Sequence, residues 1–101
     1  MMAKHPKILL VVIAEAALER ALVQEVLQRG AHGYTVGDVR GAGAAGSHEG
    51  AWEADRTIEL KVVCDSAVAD SIAEALLARY GAHYGLTIFF TEVAVLRPAK
   101  Y

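Results

Sequence analysis

Four histidines, one cysteine, a polar row on one extended segment and a glycine-rich stretch are the parts of this chain whose residue types could do chemistry. Imidazoles hold metals or move protons where several converge at ligand spacing. His5, His32, His48 and His83 instead fall at a terminus, a turn and loops, and none pairs with another along the chain, so solvated side chains are expected. Sequence separation says little about contacts between chains. Two readings from other classes therefore stay open: a trimeric divalent-metal-binding tolerance protein using His32, His48 or His83 across interfaces, and a small cofactor-free monooxygenase with His83 as base. Cys64 alone can form no internal disulfide and reads as a buried structural thiol in a reducing compartment. Gly-x-Ser-x-Gly, the Walker loop, His-Glu-x-x-His and Cys-x-x-Cys are all missing, so the chain reads as a non-enzyme without a dedicated metal site.

Two patterns are better suited to holding a ligand. Thr57, Glu59 and Lys61 alternate along one strand. They form either a solvated face or part of a ligand cleft in which Lys61 meets a phosphate. The stretch Gly33-Tyr34-Thr35-Val36-Gly37-Asp38-Val39-Arg40-Gly41-Ala42-Gly43 is the more informative. Gly41 and Gly43 permit positive φ and a close approach of backbone amides to a ligand, and the Thr35 hydroxyl can donate to or accept from a base or sugar edge.

The elements that must position these residues follow from periodicity. Lys7 to Ala14 is continuously apolar and branched, as in a strand buried on both faces. From Ala16 to Arg29, Leu18, Leu22, Val23, Val26 and Leu27 recur at helical spacing, with Gly30 as the stop. Gly33 to Gly41 reads as a glycine-rich strand, and Ala42 to Asp55, aperiodic and rich in Ala and Gly, as a mobile loop. Arg56 to Cys64 alternates cleanly, Ile58, Leu60, Val62 and Cys64 on one side. Asp65 and Ser66 are placed to cap a second helix whose stripe Val68, Ile72, Leu76 and Tyr80 runs to Gly81. Leu86 to Leu96 is a last strand, apolar on both faces.

The order is βαββαβ, an α+β ferredoxin-like antiparallel sheet with both helices on one face, in a single domain over residues 1–101. Two helices cover one face only. The apolar residues on the other face of the first and last strands call for a self-complementary oligomer. The chain is 54% hydrophobic and 22% charged with a formal net charge of −2 and scattered Lys and Arg, which argues against a nucleic-acid partner. RNA-binding modules of similar order carry stacking aromatics on the third strand, and Arg56 to Cys64 has none. The apolar run Ile8 to Ala14 is far short of the roughly 20 residues of a membrane span, and no cleavable leader follows it, so a cytoplasmic protein is expected.

The glycine-rich stretch resembles the PII signal-transduction proteins, whose second strand bears Gly-x-Thr-Val, then a basic residue and Gly-x-Gly at the base of a so-called T-loop. Gly33, Thr35, Val36, Arg40, Gly41 and Gly43 match that pattern in register. The form Gly30-Ala31-His32-Gly33-Tyr34-Thr35 is similar to PII-like regulators associated with carboxysomes and bicarbonate transporters. The resemblance implies a homotrimer with an adenine nucleotide between neighbouring subunits, bordered by Gly33, Tyr34, Thr35, Gly41, Gly43, Lys61, Val63, Tyr84, Gly85 and Arg97. The segment Gly81 to Gly85 is either that border or a plain helix terminator. The resemblance also implies bicarbonate, held by Gly41 with Arg40 and Arg56, and a signal passed through loop 42–55 to a membrane bicarbonate transporter. Trp52 in that loop is either an anchor for the partner or packs on its own domain. Departures from the pattern are informative. The loop has no tyrosine to modify, Lys61 stands where an acidic residue is usual, the turn after the second helix lacks a lysine, and no cysteine pair precedes Tyr101. With so few cations, ADP or AMP is expected in preference to ATP, with cyclic AMP a further candidate.

Overall fold

The computed structural model describes residues 2–43, 46–48 and 56–101, without the side chains of 46–48. Strand β1 (His5–Glu15) leads through a 3-10 turn (Ala16–Leu18) into helix α1 (Glu19–Gln28), followed by β2 (Thr35–Val39), β3 (Gly41–Gly43), β4 (Gly46–His48), β5 (Thr57–Cys64), α2 (Ser66–Tyr80), β6 (Thr87–Val95) and a final 3-10 turn (Pro98–Lys100). Strands β2, β5, β1 and β6, in that spatial order, form one antiparallel sheet. This is the ferredoxin-like arrangement expected from the periodicity.

Register explains the core. The pairs Leu10–Val62, Val12–Leu60 and Ala14–Ile58 put the even-numbered side chains of β1 and β5 on one face. There they bury against Leu22 and Val26 of α1 and Ile72 and Leu76 of α2. Each of these large side chains, removed from water, contributes about 1.5–3 kcal/mol before the entropy of ordering is subtracted. The opposite, odd-numbered face carries Leu9, Val11, Ile13, Val63, Phe89, Val93 and Val95. Neither helix lies on it, and Phe89 is 46% exposed.

The helix ends depart from expectation in two places. Gly30 closes α1 as anticipated: its φ is +108°, and Ala31 N donates to Val26 O at 3.1 Å while Ala31 itself is buried in the core. That is the left-handed termination which glycine enters without strain. Gly81 does not stop α2 in this way, since its φ of −59° is right-handed. Closure comes one turn on, where His83 N and Tyr84 N both donate to Tyr80 O, at 3.2 and 3.0 Å. At the other end of α2 the Asp65 side chain makes no capping bond. Lys7 Nζ draws it away at 2.6 Å, a charge-assisted contact that outcompetes a neutral backbone donor.

The segment expected to be a loop from Ala42 begins instead inside a two-stranded ribbon, Gly41–Gly43 against Gly46–His48. Small side chains suit such a ribbon because extended backbone pairs without needing a core. The expected glycine-rich strand is correspondingly shorter, with Gly33 and Tyr34 ahead of β2 and Gly41 beyond it. The expectation of mobility over 42–55, and that for Trp52, fall largely or wholly on residues outside those described.

Candidate functional site

Chain direction sorts the candidate residues by end and edge. Strand β2 runs toward the 40–56 excursion, and β6 runs away from the Gly81–Gly85 turn, so both connections lie at one end of the sheet, here called the upper end. They stand at opposite edges, however, because β2 and β6 are the outer strands. Three strand spacings, about 14 Å, separate those edges.

At the β2 edge the structure brings two groups together. Thr35 is the register partner of Lys61, and both lie on the odd-numbered face with Val63. Lys61 Nζ sits 3.2 Å from Glu59 Oε1 and its side chain is 49% exposed, so the cation keeps a weak neighbour and stays open to solvent. Gly33 and exposed Tyr34 precede Thr35 on the same edge. The second group, Arg40, Gly41 and Arg56, gathers at the upper end, where the chain leaves and re-enters the sheet. The remaining candidates stand apart. Tyr84 and Gly85 are at the upper end of the β6 edge, with the Tyr84 ring edge-to-face on Tyr80 at 6.0 Å, and Arg97 is at the lower end of that edge. One chain therefore places these candidates in groups on opposite edges of the sheet.

Gly33, Gly37 and Gly41 of the motif are not required by the chain's own packing. Gly41 has no positive φ, contrary to the conformational role expected of it, and a Cβ built there meets nothing within 4 Å. Gly33 and Gly85 are equally open. Bare backbone at such positions matters only to something that approaches from outside the chain.

Sequence reading missed Asp38 as a partner. Arg56 Nη2 donates to Asp38 Oδ1 at 2.7 Å, so one arginine expected to receive an anion already holds a carboxylate. Alternation along β2 alone could not show it, because Asp38 comes beside Arg56 only through the register that sets Asp38 opposite Ile58. Elsewhere, a groove of 660 Å³ opens at the lower end between β1, β6 and the start of α2. It includes His5, Lys7, Asp65, Ser66 and Glu92, a wall of mixed charge whose Lys7 and Asp65 pair with each other, and none of the motif residues reaches it.

His32 and His83 stand far apart. His32 lies at the lower end before β2, and His83 at the upper end of the other edge; both are exposed. Among the described residues no group of three or more His, Cys, Asp or Glu is placed to hold a metal ion. Cys64 is buried, and burial first, then the neighbouring Asp65 charge, push its thiol above the ordinary range, with Lys7 pulling the other way. Among the described residues, no helix is long and apolar enough to cross a membrane.

An antiparallel ferredoxin-like sheet with one bare apolar face, a glycine motif at one edge and a ribbon rising from its end defines a small α+β domain. The chain belongs to the nitrogen regulatory protein P-II family, whose model matches residues 7–100. A Thermus thermophilus protein described as PII-like signaling is 36% identical, with a TM-score of 0.85 over 99% of each chain. The PII-like CPII of Thiomonas intermedia, solved bound to ADP, AMP and bicarbonate, shares the fold with a TM-score of 0.88 at 23% identity, over 99% of this chain and 97% of that one. The same protein bound to ADP and bicarbonate gives a TM-score of 0.88 at 22% identity, over 99% and 98%. No curated protein matched at the sequence level.

Proposed function

We propose that the protein is a homotrimeric PII-like regulator that binds ADP or AMP between neighbouring subunits. In this reading it takes bicarbonate at the loop neck and reports inorganic-carbon and energy status through residues 42–55 to a bicarbonate uptake system. The observation that carries this reading is the division of the motif residues between opposite sheet edges. Gly33 to Thr35 with Lys61 and Val63 make one wall, and Tyr84, Gly85 and Arg97 make another, which a neighbouring subunit would bring opposite the first. PII proteins are trimers, and packing three bare faces inward would cover Leu9, Phe89, Val93 and Val95 while setting edges side by side. Open space at Gly33, Gly41 and Gly85 suits close approach by nucleotide or neighbour.

The few cations favour a nucleotide of lower charge. Arg56 is partly neutralised by Asp38, and Lys61 has Glu59 beside it, which leaves Arg40, Arg97 and Lys100 as the other candidates to balance phosphates. Such a site binds and releases without bond-making, as befits a regulator rather than a catalyst. The subfamily assignment, with bicarbonate and a transporter as target, rests on the Gly30–Thr35 pattern and on the ligands of the Thiomonas protein.

Calorimetry with ADP, AMP, ATP and cyclic AMP, each with and without bicarbonate, tests the reading. ADP and AMP should bind more tightly than ATP, with one site per subunit of a trimer measured by light scattering. Failure of all four nucleotides to bind at millimolar concentration would sink it.

A further inference from the structure

We propose that Asp38 is a built-in competitor at the loop neck, a tethered carboxylate that holds Arg56 until a small planar oxyanion displaces it, so that Asp38 sets the anion affinity of the site. This rests on the reading of Arg56 as an anion ligand given above.

The two residues bracket the excursion from the sheet. Asp38 is the last but one residue of β2, and Arg56 immediately precedes β5. Their contact, 2.7 Å from Nη2 to Oδ1, closes the neck. Both lie on the face that carries the helices, yet neither helix covers them: the Asp38 side chain is 67% exposed and that of Arg56 36%. Water and small solutes reach the pair, and exposed ion pairs are weak enough to be exchanged. A carboxylate, a bicarbonate and an acetate each present two oxygens on one planar carbon, so a guanidinium edge accepts any of them in the same geometry. An anion arriving at Arg56 therefore competes with Asp38 for Nη2.

The backbone permits the exchange. Ala16 N donates to Arg56 O at 2.9 Å, which pins the main chain of Arg56 to the end of β1 while its side chain changes partner. Once displaced, the Asp38 carboxylate remains close to the bound anion and repels it. Both effects lower the affinity, which places the response at higher anion concentration than an unopposed arginine would give. The Val39–Thr57 pairing keeps β2 on β5 throughout, so the exchange removes only the side-chain contact at the neck.

Titration calorimetry with bicarbonate, and separately with acetate, on the full-length protein at constant ionic strength set by chloride, tests the proposal. Wild type, Asp38→Asn, Arg56→Gln and Arg56→Lys are compared with and without ADP, and melting curves confirm that each is folded. Asp38→Asn keeps the shape and removes the charge, and should bind both anions roughly fivefold more tightly. Arg56→Gln should weaken both by at least about tenfold, with Arg56→Lys between, because a single ammonium replaces the fork. Equal or weaker binding by Asp38→Asn overturns the proposal, as does anion binding that survives Arg56→Gln or an absence of anion binding in wild type. Should Arg56→Gln fail to fold, Asp38→Asn and Arg56→Lys decide the matter. Failure to bind ADP alongside the expected anion pattern would remove the nucleotide part of the proposed function and leave the competition intact.

Discussion

Cys64 sits at the end of β5, buried among core residues, with Asp65 next to it and Lys7 reaching across to that carboxylate. Burial and the Asp65 charge both disfavour the thiolate. A thiol held in its neutral form is a poor nucleophile, so Cys64 should not react with a disulfide reagent at pH 7.5 in the native protein and should react fully in denaturant. The same shift has a stability consequence. The native state keeps the proton longer than the unfolded chain, so this contribution is full below the unfolded thiol value of about 8.5 and is lost as pH rises through the higher folded value. Chemical denaturation should show stability falling over that alkaline window, and Cys64→Val should flatten the fall. An unchanged slope in that variant would assign the loss to another group.

Between the elements, Glu25 is a buried charged residue that links the two helices. Its side chain is 5% exposed on α1, accepts from Arg29 Nε at 2.6 Å and forms an ion pair with Arg79 Nη1 at 3.3 Å, while Arg29 Nη1 donates to Ser71 Oγ at 3.0 Å. Two arginines thus clasp α1 to α2 around one carboxylate. Glu25→Ala should cost about 2 kcal/mol, read as a fall in melting temperature of roughly 10 °C at fixed protein concentration. The two kinds of glycine separate in the same assay. At Gly30, with φ at +108°, a Cβ would make only an ordinary 3.6 Å contact with Val68, so the cost of Gly30→Ala is conformational, about 1 kcal/mol. Gly41→Ala meets nothing in its own chain and should leave the melting temperature within about 1 °C, while weakening ADP binding in calorimetry if a ligand approaches there. A large loss of stability in Gly41→Ala would mean that the fold, rather than a ligand, demands the glycine.

For the whole molecule, the proposed trimer would join its subunits through the bare sheet face. Phe89 is on that face and 46% exposed in one chain, so Phe89→Asp should leave the monomer folded by circular dichroism while light scattering reports one chain in place of three. Nucleotide binding should fall with it, because each half-site loses its opposite wall. A Phe89→Asp protein that stays trimeric and binds ADP would show that some other surface joins the subunits.

Much of this was legible in the residues. Alternation from Ile58 to Cys64, the helical recurrence of Leu22 and Val26, and the doubled apolar faces of β1 and β6 all appear as periods along the chain, since side-chain direction repeats every two or 3.6 residues whatever the tertiary context. The match of Gly33, Thr35, Arg40, Gly41 and Gly43 pointed to the family whose model fits residues 7–100. Three features could not be read that way. The Asp65 side chain went to Lys7, 58 positions away, although its local pattern is that of a cap. Arg56 found Asp38 because two strands pair in one register. The separation of Thr35 from Tyr84 follows from strand order, with β2 and β6 outermost. Periodicity is a local property and establishes which face of each element is buried; pairing across the sheet is non-local, and it alone decides which side chains meet and which need a second subunit to meet at all.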